Sequence, residues 1–423
     1  MNFIEKTVYD LVKRNPAIKF FIRDLYQFLW DIIPTKRKVS KLPIITREGY
    51  YFGFHDKTPF SADDSKLLAG KYTIPLRSPQ NGEELIVGYF DGDELTKYNE
   101  VARTKAWNWH QGTHLQWLGK SHELVFNDCL NDKLVARIID TQTGHERVTD
   151  YPIATVTSDG KWGIGYNFFR VQQFMPGCGS LSSQKKEYDA IPDDDGLYKV
   201  DMETGVSKLI LSINDICQID PDVSMDGGKH YFSHAIIAPG GKRVMFLHRW
   251  IKKDYRLRWS RMFTCDLDGR NIYKFPTHEM VSHMGWKNEN QILAYCRLED
   301  NKDGYVLFDD LGAGKYTRVG DGILTSDGHP SYDKSGSWII TDTYPNRRRH
   351  QRLILVDTIK DHYQDLAKLY HPKKYTKEDL VGPLRCDLHP RWNRSGTMVC
   401  FDSAYTGQRS LCTMEIKTLI EKQ

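Results

Sequence analysis

The stretch Trp392–Ser403, WNRSGTMVCFDS, recurs in altered form along the chain. Each copy begins with an aromatic or aliphatic anchor, continues through a polar turn containing Gly, Asp, Asn or Ser, and ends in a short apolar strand. The other copies begin at Phe60, Trp117, Val156, Ile237, Trp286 and Tyr332. Self-similarity of this kind indicates a repeat architecture in which each copy is one structural unit.

Further strand signals lie between the copies, such as LYKVDMETGVSKLI and MFTCDLDGRNIYKF, in which an apolar run meets an Asp/Gly turn. Four short strands in a unit of about 45–60 residues are typical of a β-propeller blade. The seven copies therefore predict an all-β, seven-bladed β-propeller over residues 42–418. The last copy supplies three strands, and LPIITREGYYFG (residues 42–53) is available to close its edge. Two separate β-sandwiches are the alternative fold.

Composition limits the function classes. The chain has 423 residues, 40% of them apolar, which is enough for a large core. A net charge of +4 spread over 59 basic and 55 acidic residues gives no overall field for nucleic acid, so nucleic acid is not predicted as a partner. The eight cysteines stand singly without a C-x-x-C pair, and no secretory leader is recognised, which predicts reduced thiols in a cytoplasmic protein.

Residues 1–38 differ from the rest in their pattern of apolar residues, which recur at helical spacing. They are predicted to form an amphipathic helical extension, divided by Pro16. The segment has no apolar run long enough to span a bilayer. One interpretation is a peripheral contact with the inner face of the membrane through residues 1–35, with Trp30 and the neighbouring basic residues facing anionic lipid. The alternative is packing against the propeller or a partner protein.

A second pattern lies three residues before each anchor. Five of the seven positions are histidine, as the full set shows: Lys57, His114, Ile153, His234, His283, His329 and His389. The first strand of each propeller blade lines the central channel, so equivalent positions are expected to meet near the axis. The second strand runs antiparallel to the first and returns to the same level. The residues at the ends of these second strands are Asp128, His248, Arg249, Arg297, Asp342, Tyr344 and Asp402.

Converging neutral imidazoles with a nearby carboxylate suit a divalent transition metal. The predicted ligands are His283, His329, His389 and Asp387. The alternative is structural: each histidine is then a hydrogen-bonded core residue, and Asp342 and Asp402 anchor the turns of neighbouring blades.

Three stretches carry a family resemblance: SHAIIAPGGKRVMFLHRW (233–250), VSHMGWKNENQILAY (281–295) and RCDLHPRWNRSGTMVCFDS (385–403). They resemble blades of the oligogalacturonate lyases, which are seven-bladed propellers of the TolB-like group. The resemblance covers about Ser233 to Ile416. It implies cleavage of short polyuronates by β-elimination, with Mn²⁺ held by histidines and a glutamine.

By motif, the resemblance places His283 and His389 on metal-ligand positions and His234 or His248 near the catalytic groups. The chain departs from the family where a Gln-x-x-His-x-His pattern becomes LRCDLH, so that Leu384 replaces the glutamine and Asp387 one histidine. A second resemblance, of FGFHDKTPFSADDSKLL and DGHPSYDKSGSWIITDTYP, is to TolB-like proteins associated with bacterial cell-surface polysaccharide biosynthesis. It implies a glycan setting.

Elimination from a uronic acid needs charge withdrawal at the carboxylate, a base for the C5 proton and an acid for the departing oxygen. The predicted catalytic residues are His234, His248, Arg249 and Tyr344. The predicted substrate-binding residues are arginines that can clamp a carboxylate and aromatics that can stack on sugars: Arg385, Arg391, Arg348, Trp109 and Trp250.

The sequence leaves three functions open. The first is a metal-assisted lyase for an anionic, uronate-containing oligosaccharide or polysaccharide. The second is a glycoside hydrolase that uses paired carboxylates such as Asp342 and Asp402. The third is a non-enzymatic propeller that binds a glycan or acts as a scaffold in bacterial surface polysaccharide assembly.

Overall fold

A computed structural model describes residues 27, 29–183, 186–252, 258–379 and 381–421. Over these residues the chain forms seven antiparallel sheets, six with four strands and one with five. The predicted seven-bladed β-propeller is confirmed, and the β-sandwich alternative is wrong. The predicted N-terminal helical extension falls mainly on residues outside the described ranges, where it stays a prediction.

The chain enters the propeller through two strands that join late blades, β1 (Lys38–Ser40) and β2 (Ile45–Glu48). Blade one contains β3 (Tyr50–Tyr51), β4 (Leu67–Lys71), β5 (Leu85–Asp91) and β6 (Lys97–Thr104). Blade two contains β7 (Gln116–Trp117), β8 (Glu123–Leu130), β9 (Lys133–Asp140) and β10 (Glu146–Val148). Blade three contains β11 (Thr155–Val156), β12 (Trp162–Gly165), β13 (Gly196–Asp201) and β14 (Ser207–Ser212).

The second half of the ring is built in the same way. Blade four contains β15 (Lys229–Ile237), β16 (Arg243–Ile251), β17 (Arg258–Asp266) and β18 (Tyr273–Lys274). Blade five contains β19 (Val281–Trp286), β20 (Gln291–Arg297), β21 (Asp303–Asp309) and β22 (Tyr316–Val319). Blade six contains β23 (Ser331–Tyr332), β24 (Trp338–Asp342), β25 (His350–Asp357) and β26 (His362–Tyr370). Blade seven contains β27 (Arg391–Trp392), β28 (Met398–Ser403) and β29 (Ser410–Glu415).

Short helices lie in the connections. They are α1 (Phe168–Phe174), α2 (Ile213–Cys217) and α3 (Lys417–Ile420), with 3₁₀ turns at Asp93–Leu95, Val223–Met225 and Lys373–Thr376. Within the described ranges, the helices fall short of the length and apolarity that a bilayer crossing requires.

Strand β2 closes the ring, as the sequence predicts. It pairs antiparallel with β29 and completes blade seven as its fourth strand, with Ile45 opposite Thr413. Strand β1 pairs with β26 and adds a fifth strand to blade six, which the sequence did not indicate. Both additions cover strand edges that would otherwise be open to pairing with another chain.

The repeated motif has two physical roles. Its polar turn residue accepts backbone N–H groups: Asn393 Oδ1 lies 2.9 Å from the nitrogens of Thr397 and Met398 and fixes the hairpin. Where the anchor is tryptophan, its indole N–H donates to a backbone carbonyl of the preceding blade. The three bonds are Trp117 to Pro59 at 3.1 Å, Trp286 to Ile236 at 3.0 Å and Trp392 to Ser331 at 2.9 Å. The anchors therefore lock adjacent blades together.

Candidate functional site

Histidines from distant parts of the chain meet at the propeller axis around the ring of Phe54. Ring centroids lie 5.0 Å from Phe54 for His234, 6.1 Å for His283 and 6.2 Å for His329. His389 and His55 lie at 5.1 and 4.5 Å. The rings of His283 and His329 are 4.1 Å apart, and those of His329 and His389 are 4.2 Å apart. We call His55, His110, His234, His283, His329 and His389 the axial histidine cluster, since His110 lies next to His389 at 6.4 Å.

The backbone is strained where it carries some of these side chains. His234 and His389 have φ of 56° and 45°, in the left-handed region that β-carbons disfavour. The pairing of β15 with β16 also shifts register between Ser233 and Ile236, so His234 lies in a bulge of β15. Bulges re-aim side chains, and residues in such conformations cluster at functional sites. Local distortion of the innermost strands therefore turns these imidazoles toward the axis.

Two carboxylates orient two of the rings. The Nδ1–H of His283 donates to Asp327 Oδ1 at 3.0 Å, and Ser282 donates to the other oxygen of Asp327 at 2.6 Å. The Nδ1–H of His329 donates to Asp342 at 2.8 Å. A carboxylate at Nδ1 fixes the tautomer in which Nε2 keeps its lone pair. His283, whose pKa burial lowers, therefore presents a basic nitrogen.

A third carboxylate lies within the cluster itself. Asp387 accepts a hydrogen bond at 2.6 Å from Arg385 Nε through one oxygen, while its other oxygen is buried without a hydrogen-bond partner. Donor atoms of His110, Asp387 and His389 all lie within 4.8 Å of one another. These three residues form the tightest potential ligand group at the axis.

Burial keeps most of the imidazoles neutral. It lowers the pKa of His110 to about 3 and holds those of His389, His234 and His55 well below the ordinary value. The pKa of His283 is also lowered by burial, against the opposing charge of Asp327. His329 is the exception, because Asp342 outweighs burial and raises its pKa.

The donor set fits a divalent transition metal. Neutral imidazoles and one carboxylate are its usual ligands, and one buried oxygen of Asp387 has no hydrogen-bond partner and is available to a cation. Burial would raise the pKa of Asp387, but its interactions with Arg385, His329 and His110 together outweigh burial, so the pKa is held well below its usual range and the carboxylate is ionised. Of the predicted ligands, Asp387 and His389 fall in the 4.8 Å group, whereas His283 and His329 lie outside it because carboxylates hold their rings.

A cavity of about 370 Å³ opens on the face where the innermost strands begin. Its lining includes Tyr344, Asn346, Arg349, His371, Lys377 and Arg385. Its floor leads to the axis, because the Arg385 guanidinium lies 4.6 Å over the Tyr344 ring, and that ring is 5.8 Å from His329 and 6.4 Å from His283. The side chain of His283 is 12% exposed, whereas His329 is fully buried. We call this the Tyr344–Arg385 pocket.

Two long connections cover the axis on the same face. The α1 connection and residues 371–386 meet where Gln172 Nε2 donates to Val381 O at 3.0 Å. Gly177 and Gly382 pack so closely that a β-carbon on Gly382 would lie 2.6 Å from the Gly177 α-carbon. The two connections therefore pack directly against each other.

His248 and Trp250 lie apart from the axial cluster, inside blade four. Arg261 donates to His248 Nδ1 at 3.1 Å, His248 Nε2–H donates to His230 Nδ1 at 2.9 Å, and His230 Nε2–H donates to Met225 O at 3.3 Å. Cys217 contacts both rings, at 3.5 and 3.7 Å. Although a cysteine and two histidines could hold a metal, this chain of bonds satisfies every ring nitrogen of the two histidines. His248 is thus placed away from the predicted catalytic position because strand alternation turns it into the blade.

The other predicted residues take mostly structural positions. Arg391 is buried, pairs with Asp402 at 2.9 Å and donates to Phe54 O at 2.8 Å, so it holds the backbone beneath the cluster. Trp109 donates to Arg77 O at 2.7 Å and packs among aromatics.

Trp250 donates to Ser224 O at 3.0 Å and stacks on Trp259. Arg249 donates to Val281 O at 3.2 Å. Arg348 is exposed and lies over Trp30 at 5.4 Å. Of the predicted substrate-binding residues, Arg385 is the one that the structure places in the Tyr344–Arg385 pocket.

Sequence reasoning missed three members of the site and misplaced another. His55 and His110 lie outside the histidine register, in FGFHDK and WNWHQG, and Asp327 lies two residues before His329 in a connection. The aromatic residues flanking His55 and His110 were the available signal for burial. His114, by contrast, packs against Phe168 of the blade-three connection at 4.6 Å and is absent from the ring contacts around Phe54.

Comparisons with known proteins support the fold. No protein-family model and no curated protein matches the chain. Among solved structures, oligogalacturonate lyase from Vibrio parahaemolyticus matches with a TM-score of 0.57 and 15% identity, over 90% of this chain and 98% of that chain. TolB from Acinetobacter baumannii matches with a TM-score of 0.41 and 12% identity, over 89% and 97%. The β-propeller domain of the Trilobed protease from Pyrococcus furiosus matches with 0.48 and 9%, over 86% and 95%.

Fold and site together define a seven-bladed β-propeller with a buried histidine cluster on its axis. In fold the chain is similar to oligogalacturonate lyase, as the resemblance of its blades indicated. At these identities the likeness concerns the fold, and the chemistry has to be argued from the residues.

Proposed function

We propose that the protein is a metal-assisted lyase that cleaves an anionic, uronate-containing glycan by β-elimination. The observation that carries the proposal is the pairing of His283 with Asp327 at 3.0 Å beside the Tyr344–Arg385 pocket. It gives a neutral imidazole with a fixed tautomer and partial exposure, which is what a general base requires.

The ligands of the metal would be His110, Asp387 and His389. A divalent ion held there, Mn²⁺ as the resemblance implies, supplies positive charge that draws electron density from a substrate carboxylate and makes the adjacent C–H more acidic. Arg385 would add a second positive charge, because its guanidinium lies at the pocket floor.

Two side chains of the protein carry out the proton transfers of the proposed reaction. His283 Nε2 takes the C5 proton, the electron pair of that C–H bond forms the C4–C5 double bond, and the C4–O bond breaks. The departing oxygen takes a proton from Tyr344, whose pKa burial raises, so that its hydroxyl stays protonated. His234 lies 5.0 Å from Phe54 as a neutral imidazole and takes no proton in these steps.

The substitution Asp327→Asn tests the role of His283 as the general base. The substitution keeps the size of the side chain but removes the charge that fixes the His283 tautomer, so we expect kcat to fall about 100-fold. The pKa of His283 is expected to fall further, which shifts the acidic limb of the pH–rate profile to lower pH. The measurement is ultraviolet absorbance of the unsaturated product during incubation with uronate oligosaccharides and Mn²⁺.

Asp303→Asn is the matched control, because Asp303 pairs with Arg297 at the surface of the same blade. It should keep wild-type activity. Absence of unsaturated product from wild-type protein, over a broad panel of uronate oligosaccharides and with bound metal verified, would contradict the proposed function.

A glycoside hydrolase based on Asp342 and Asp402 receives no support from the geometry. Asp342 accepts the backbone N–H groups of His329 and His389, and Asp402 accepts those of Phe52 and Gly53. Both carboxylates therefore anchor connections between blades. The deep burial of His329 and His389 favours a second candidate, a non-enzymatic glycan-binding or scaffold propeller in which the cluster is structural. Formation of unsaturated product from the panel of uronate oligosaccharides distinguishes the lyase from the non-enzymatic propeller.

A further inference from the structure

We propose that an exposed surface on blade six binds an anionic lipid surface. The surface comprises residues 29–39, 346–350 and 373–379, and we call it the blade-six patch. Exposed apolar side chains and exposed basic side chains lie together in it, and this combination suits the interface of an anionic bilayer.

The N-terminal part of the patch is fixed to the propeller. Asp31 pairs with Arg349 at 2.7 Å and with Lys373 at 3.8 Å. The His350 ring lies 2.8 Å from Lys36 O, and β1 pairs with β26 immediately afterwards. Residues 29–40 therefore present their outward side chains from a defined position.

Trp30 packs against the connection between β24 and β25. Its ring lies 4.4 Å from the guanidinium of Arg347 and 5.4 Å from that of Arg348. These cation–π contacts hold the segment against the β24–β25 connection. The apolar residues that do point outward are Leu29, Ile32 and Ile33, which are 56%, 61% and 42% exposed. Three large aliphatic side chains close together on one surface are unusual unless something covers them.

Positive charge surrounds these apolar side chains. Lys36, Arg37, Lys38, Arg347 and Arg348 are exposed beside them. The connection after β26 adds three more exposed lysines, Lys373, Lys374 and Lys377. The exposed carboxylates of the patch are Asp31, Glu378 and Asp379, so basic groups are in clear excess. Each such charge strengthens attraction to an anionic bilayer, which is why we infer lipid rather than a neutral partner.

The patch borders the Tyr344–Arg385 pocket. Gln27, Asn346, Arg349 and Lys377 line the mouth of that pocket and belong to the patch or adjoin it. A bilayer bound at the patch would therefore lie beside the pocket opening. Lipid binding does not require the proposed reaction, so either can fail without the other.

Vesicle co-sedimentation of the full chain tests the proposal. The vesicles contain phosphatidylcholine alone or phosphatidylcholine with phosphatidylserine. We expect binding to the anionic vesicles, little binding to the neutral ones, and release as ionic strength rises. The variant Lys373→Glu/Lys374→Glu should lower the partition coefficient about tenfold or more, and Leu29→Ser/Ile32→Ser/Ile33→Ser should do the same while keeping the wild-type circular dichroism spectrum.

The matched control is Lys120→Glu/Lys334→Glu, which reverses two exposed lysines at the opposite mouth of the channel. It should bind anionic vesicles as the wild type does. Three results would overturn the proposal: no binding of the full chain to anionic vesicles, equal loss in the control variant, or charge-dependent binding to an RNA or DNA probe without binding to vesicles.

Discussion

Asp402→Ala is expected to lower the free energy of unfolding by about 3–5 kcal/mol, the usual cost of leaving one member of a buried ion pair alone. Asp402 and Arg391 are each about 1% exposed and pair at 2.9 Å. The same carboxylate accepts the backbone N–H groups of Phe52 and Gly53, each at 3.0 Å. The substitution therefore leaves a buried guanidinium and two buried N–H groups without this acceptor at the junction of blades seven and one.

Urea denaturation followed by tryptophan fluorescence measures this loss. The control is Asp303→Ala, which breaks the Arg297–Asp303 pair, where both side chains are about one-third exposed. An exposed pair of this kind contributes at most about 1 kcal/mol. If Asp402→Ala unfolds within 1 kcal/mol of the wild type, the ring closure does not depend on this pair as described.

Acid is expected to destabilise the protein strongly below pH 6.5. Burial lowers the pKa of His230 and of His371 to about 4 and that of His248 well below the ordinary value. In the unfolded chain, these histidines titrate near pH 6.5. As the pH falls below that value, the unfolded chain takes up protons that the folded chain does not, so stability falls with pH. Each histidine costs about 1.4 kcal/mol per pH unit down to its folded pKa, or about 4 kcal/mol for His230 and His371 together at pH 5, and His248 acts in the same direction.

One of the histidines acts in the opposite sense. Asp342 outweighs burial and raises the pKa of His329, so its contribution is present in acid and is lost as the pH rises through the folded value. The opposing contribution of His329 does not cancel the contributions of His230, His248 and His371. Thermal denaturation after chelation of metals, at pH 7.5 and at pH 5, measures the net effect. A melting temperature that is unchanged between the two would show that these histidines are not held neutral.

Most of the fold was accessible from the sequence because the repeat is local. The turn residue, the anchor and the strand lie within about a dozen residues, so Trp392–Ser403 defines its own hairpin and its contact with the preceding blade. The closure by β2 was also predictable, because blade seven lacked a strand. The pairing of β1 with β26 was not, since Lys38–Ser40 is only three residues long and its one apolar residue, Val39, is exposed, so it carries no strand pattern.

The site was accessible only in part. Counting from the anchors placed His234, His283, His329 and His389 near the axis, where their rings lie around Phe54. The ring directions depend on bulges and left-handed backbone that the sequence does not encode in a recognisable way. His55 and His110 come from irregular segments without a repeat register, so periodicity could not find them. Tertiary geometry, rather than spacing, decides which imidazoles group with Asp387.

The central claim is that the axial histidine cluster binds a divalent metal ion. Its most direct test is Mn²⁺ binding to the chelated full chain by calorimetry, with metal content determined by elemental analysis, for wild type, His389→Gln and Asp387→Asn. We predict about one ion per chain for the wild type and an affinity at least 10–100-fold weaker for each variant at an unchanged fold. Absence of binding to the wild type, or equal binding by all three proteins, would contradict the account.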